Sequence, residues 1–101
     1  NSMIKRIRRG QGHEFLDRLV MAGVVEARGC ERFGLLADAL EEPELKAFYT
    51  ELAGSEARHA EIFVELAQVY FSPEEVQARL AFFLDVDAEL VDALPPRAAL
   101  H

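Results

Sequence analysis

Glu26-Ala27-Arg28-Gly29-Cys30-Glu31-Arg32-Phe33 is echoed thirty residues later by Glu56-Ala57-Arg58-His59-Ala60-Glu61-Ile62-Phe63. The shared pattern is E-A-R-x-x-E-x-F, and each copy lies inside a longer stripe. The first stripe reads Phe15, Leu19, Ala22, Glu26, Gly29, Phe33, Leu36, Leu40; the second reads Leu45, Tyr49, Leu52, Glu56, His59, Phe63, Leu66, Tyr70. Both advance in steps of three and four, the spacing of a helix-bundle seam. A carboxylate in such a seam loses its hydration, which is unfavourable unless a cation or hydrogen-bond partner replaces the water. Glu26, Glu56 and His59 therefore stand where core residues belong, and that placement points to metal.

Working outward, no segment shows sustained period-two alternation, and helix formers dominate. Three helices are expected, at about 13–40, 43–71 and 73–93. Glu41-Glu42-Pro43 forms the first turn, with Pro43 at the opening helical position. Ser72-Pro73-Glu74-Glu75 supplies a serine cap, a first-turn proline and a glutamate three residues after the cap. Pro95-Pro96 stops the third helix. The organisation is a basic segment over 1–12, a helical domain over 13–94 and a tail over 95–101. Gly10 and Gly12 loosen the chain before the first helix.

The short first turn makes the two long arms antiparallel. Leu40 and Leu45 start their arms at one level, so Glu26 should face His59. Glu56 then lies one turn nearer the bend, about 4.5 Å by the helical rise. Two copies of a motif do not make a solenoid; they make a hairpin whose arms have similar roles.

Charge and composition narrow the classes. Half of the 101 residues are hydrophobic, which suits one folded domain or part of one. No apolar run approaches the ~20 residues of a bilayer span, so no membrane partner is expected. The start lacks the apolar core of a signal peptide. The single cysteine, Cys30, excludes an internal disulfide and is read as a small buried apolar residue, and a cytoplasmic setting is the default. Lys5, Arg6, Arg8 and Arg9 carry all the charge of the first ten residues, and the remaining ninety-one have a balance of −11. An acidic body is a poor general nucleic-acid platform. The basic segment is read as a solvated linker or fragment end, with phosphate contact as the alternative.

Glu-x-x-His puts both side chains on one helical face, one turn apart. With Glu26 opposite, the donor set suits iron, manganese or zinc better than calcium or copper. It is half of the ferritin-like di-iron pattern, which takes one Glu from each of two helices and Glu-x-x-His from each of the other two. The competing reading is a metal-free polar layer with His59 held by a carbonyl. Glu31, Glu61 and Glu65 lie off the seam as surface or supporting groups. Arg28 and Arg58 point away from it and are expected in surface ion pairs, while Tyr49 and Tyr70 are packing residues with a polar tip. Asp87 falls on the third helix's stripe of Val76, Leu80, Phe83, Asp87, Leu90 and Leu94. It is expected either to accept from a histidine or to lie exposed at a frayed end. No phosphate loop, nucleophile elbow or zinc-finger spacing is present.

At Val25 to Phe33, at Ser55 to His59 and at Leu16-Asp17-Arg18-Leu19, the chain resembles the bacterial tRNA 2-methylthio-isopentenyladenosine hydroxylases. These are ferritin-like, non-haem di-iron monooxygenases, and the likeness runs over about residues 5 to 94, matching their C-terminal half. The resemblance implies an all-α, ferritin-like half-bundle: a long antiparallel helical hairpin plus a third C-terminal helix. It implies Glu26, Glu56 and His59 as iron ligands in a di-iron centre. It also implies O2-dependent hydroxylation of the prenyl group of a modified adenosine in tRNA, with an electron donor. The other Glu and Glu-x-x-His are absent here, so the chain is a fragment, a half-protein that pairs with another chain, or a homodimer with four Glu and two His. An iron-handling protein without hydroxylase activity and a non-catalytic dimerising hairpin are the rival functions.

Overall fold

The computed structural model of the chain describes residues 3–10 and 12–93. After a 3₁₀ turn at Ile4–Arg6 come α1 (His13–Ala39), α2 (Pro43–Tyr70) and α3 (Pro73–Asp92). The described residues contain no strand, and the fold is all-α. Leu94, Pro95-Pro96 and the tail of the sequence reading lie outside the described residues.

Local chemistry sets each boundary. Gly10 and Gly12 have φ of 112° and 78°, a region that favours glycine, and they turn the chain into α1. At the first bend the Glu42 carboxylate accepts from the N–H groups of Glu44 (3.1 Å) and Leu45 (2.9 Å), with Pro43 beside it. The Lys46 ammonium donates to the Ala37 carbonyl at 2.8 Å, satisfying one of the orphan acceptors at the end of α1. Ser72 and Glu75 form the expected reciprocal capping box at the start of α3.

α1 and α2 pack antiparallel in the register read from the sequence. Near the open end the rings of Phe15 and Tyr70 meet edge-on at 5.3 Å, and further toward the bend Phe33 stacks on Tyr49 at 5.9 Å. Tyr49 thus acts as a packing residue, while Tyr70 meets Phe15 but stays largely exposed.

The principal core lies to one side of that seam. Leu16, Val20 and Val24 of α1 recur every four residues and meet Val76, Phe83 and Val86 of α3, with Ala67 of α2 closing the cluster. α3 therefore covers chiefly a second apolar stripe of α1, and of the hairpin seam Leu19 is buried in the same cluster with Phe63 packed against it. Met3 and Ile7 are buried in the same cluster, which corrects the solvated-linker reading of the basic segment. Two apolar side chains, four residues apart among the charges, anchor it.

That segment is also held by charge. Asp17 is fully buried and receives a forked guanidinium from each side: Arg8 at 3.1 and 3.0 Å and Arg79 at 2.9 Å twice, plus the Arg8 backbone N–H at 2.9 Å. Burial pushes the Asp17 carboxyl up, but these hydrogen bonds outweigh it and hold the carboxyl below the ordinary range. Asp17 thus ties the N-terminal segment, α1 and α3 together, and Arg79 also lies 4.2 Å from the ring centre of Phe82 on its own helix.

Candidate metal centre

The three seam donors converge. One ligand atom each from Glu26, Glu56 and His59 can be chosen so that all lie within 4.8 Å of one another. His59 Nδ1 and Glu26 Oε2 are 3.7 Å apart, too far for a hydrogen bond and close enough to flank an ion. Metal bonds of about 2.0–2.2 Å to nitrogen and oxygen imply donor separations up to roughly 4.4 Å, so small side-chain rotations close the set. Facing of Glu26 and His59, with Glu56 nearer the bend, is the arrangement drawn from helical geometry.

Gly29 makes room for it. A Cβ on Gly29 would stand 3.2 Å from Glu56 Oε2 and 3.6 Å from its Cδ and Cγ. Where the second copy of the repeat has His59, the first has no side chain, and the Glu56 carboxylate packs directly against the gap. The donor chemistry fits a first-row divalent ion: two carboxylates supply the negative charge and an imidazole supplies a nitrogen.

Burial is lower than the seam reading implies. Glu26 and Glu56 are half-buried, but the His59 side chain is 50% exposed. Phe15, Leu36, Leu45, Leu66 and Tyr70 of the same seam are also exposed by more than a third. The reason is geometric, since α3 packs mainly on a neighbouring face and reaches the seam only beside Glu26 and Glu56, leaving the His59 side open among the described residues.

Beside the donors is a cleft of about 500 Å³ between α1 and α3, with Glu26 and Glu56 in its lining. Arg28 and Asp87 close part of its wall by a bidentate ion pair between the two helices. Two earlier expectations are corrected here. Arg28 is not in a surface ion pair, because it continues the Leu16/Val20/Val24 stripe and meets α3. Asp87 is neither a histidine acceptor nor exposed, because it lies opposite Arg28. The hydrogen bonds that Arg28 donates to Asp87, opposed by burial, raise its guanidinium above the ordinary value. Arg58, Glu31, Glu61 and Glu65 are exposed, and Cys30 is a half-buried free thiol.

Sequence reasoning missed Asp17, Arg79 and Arg32. Asp17 precedes Val20 and Val24 at helical spacing, so a second stripe was visible in principle. Arg32 lines the same cleft, is exposed and makes no ion pair among the described residues.

The model of the family described as tRNA-(MS[2]IO[6]A)-hydroxylase (MiaE) matches residues 1–101, the whole chain. The chain belongs to this family. Two curated relatives, both called tRNA 2-(methylsulfanyl)-N(6)-isopentenyladenosine(37) hydroxylase, agree. The protein of Salmonella typhimurium is 40% identical over 88% of the chain, and that of Pseudomonas putida is 33% identical over 87%. The matched stretch is 32% of the first relative and 42% of the second, so the chain spans less than half their length. No solved structure matches the chain. No helix among the described residues is long and apolar enough to cross a membrane.

Proposed function

We propose that this chain is part of a tRNA-modifying hydroxylase, and that Glu26, Glu56 and His59 hold iron for O2-dependent hydroxylation of the prenyl group of a modified adenosine. The observation that carries the reading is the convergence of the three donors within 4.8 Å in a chain matched along its whole length by this hydroxylase family. Iron, with electrons from a donor, supplies the redox chemistry that delivers one oxygen atom of O2 to a C–H carbon. Manganese fits the same donors by ligand type.

The residues of the chain do the rest. Glu26 and Glu56 would offset the ion's charge, and His59 would offer an imidazole nitrogen. Gly29 leaves the volume that lets Glu56 reach the same point. Phe33 and Phe63, one turn beyond Gly29 and His59, limit water along the seam.

A di-iron set needs another Glu and another Glu-x-x-His. The uncovered seam is where a second helical pair would bring them, either from a second copy of the chain about a two-fold axis or from chain of the kind that the longer relatives possess. The setting that follows from a tRNA substrate is the cytoplasm.

The test is to load the chain with ferrous iron, add reductant, O2 and prenylated tRNA, and follow iron content and nucleoside mass. Bound iron with one oxygen gained on the prenyl group is the expected result. Bound iron without oxygen gain favours an iron-handling role, and failure to bind iron overturns the proposal.

A further inference from the structure

We infer that the cleft between α1 and α3 is the substrate pocket, taking the prenyl arm between Val25, Phe33, Leu90 and Val91, while Arg32 holds an RNA phosphate at its mouth. This rests on the hydroxylase reading and goes beyond it by placing the substrate.

Three observations converge. The cleft holds about 500 Å³, within the range of about 300–1,000 Å³ typical of small-molecule sites. It is lined by both Glu26 and Glu56, so an occupant reaches the side of the hairpin where the donor carboxylates lie. Its remaining walls divide by chemistry into apolar side chains from α1, α3 and the N-terminal Met3, the Asp87 carboxylate, and two guanidiniums one turn apart, Arg28 and Arg32. Asp87 neutralises Arg28, and Arg32 is left exposed and without an ion pair among the described residues. On a chain of net charge −7, an unengaged cation beside a cavity with apolar walls suits a ligand that is apolar at one end and anionic at the other. A prenylated nucleotide within RNA has that character. A second groove, of about 410 Å³ and reaching Leu84, has Glu61 and Glu65 in its lining but none of the three donors.

The two halves of the inference leave different signatures in one experiment. A synthetic anticodon stem-loop RNA, with and without the isopentenyl group, is titrated against the iron-loaded chain over a series of salt concentrations. The chain should prefer the prenylated RNA by about tenfold or more, the scale set by burying several carbons. Val25→Trp should abolish that preference, and so should Val91→Trp. Val25 is itself about half exposed, so the larger ring does not strain the core. Leu84→Trp, in the other groove, should leave the preference intact. Arg32→Gln should weaken both RNAs equally and lower the salt slope by about one, with the prenyl preference kept. Iron content of every variant is read in parallel. Bound iron with no prenyl preference, or a preference that survives both tryptophans, overturns the pocket and leaves the metal reading standing. Absence of iron throughout overturns the reading beneath it.

Discussion

Gly29 faces Glu56 across the hairpin, so closely that a Cβ on the one would stand 3.2 Å from a carboxylate oxygen of the other. The two residues are sterically coupled, though only one carries a candidate donor. Gly29→Ala should favour α1 by about 0.5–1 kcal/mol, since glycine weakens helix interiors. It should also push the Glu56 carboxylate aside and lower ferrous affinity by about tenfold or more, the usual effect of disturbing a ligand's support. Thermal denaturation and metal titration check the two effects together. Greater stability with undiminished metal affinity would contradict the packing described.

Asp17→Asn should destabilise the fold by about 3 kcal/mol, because two guanidiniums would face a neutral amide in a buried site. Chemical denaturation measures this. The pH dependence follows from the direction of the shift. The folded Asp17 carboxyl is held below its unfolded value, so its contribution is complete at neutral pH and persists down to about pH 4, the unfolded range. It is then lost as pH falls further, through the folded value. The asparagine variant should therefore show a flatter acid limb than the parent chain.

The hairpin was legible because its code is local. Helix limits came from Pro43, from the Ser72/Glu75 box and from unbroken three-and-four spacing, and the facing of Glu26 and His59 came from counting along two rods joined by a short bend. The placement of α3 was not legible in the same way. Leu16, Val20 and Val24 form a second stripe on α1, and a stripe shows that something covers it without showing what. Arg28 and Asp87 are the clearest instance. Each was visible as a charge on a helix, but their ion pair depends on how α3 crosses α1, a tertiary fact. Met3 and Ile7 were likewise hidden among basic residues whose charge dominated the reading. The exposure of His59 follows from the same geometry, because the face that would bury it is the one α3 leaves uncovered.

The Arg28–Asp87 pair should act as a fastening between α1 and α3. A double-mutant cycle with Arg28→Ala and Asp87→Ala should give a coupling of about 1 kcal/mol, modest because both side chains retain some solvent access. A coupling near zero would mean that the pair contributes nothing beyond each residue's own packing.

The uncovered seam should drive association. Phe15, Leu45, Leu66 and Tyr70 lie along one exposed apolar band, and such bands on a small chain mark a surface that is covered in use. Light scattering at micromolar concentration should give the mass of a dimer or larger assembly, and Leu66→Glu should return it to a monomer with its helices intact. A strictly monomeric parent chain would remove the second copy as the source of the missing ligands.

Diffraction from iron-loaded crystals at the iron absorption edge tests the proposed centre most directly. The expected result is an anomalous peak within about 2.0–2.3 Å of donor atoms from Glu26, Glu56 and His59. A peak bound elsewhere, or none between α1 and α2 in crystals that contain iron, would contradict the assignment of these three residues as the metal site.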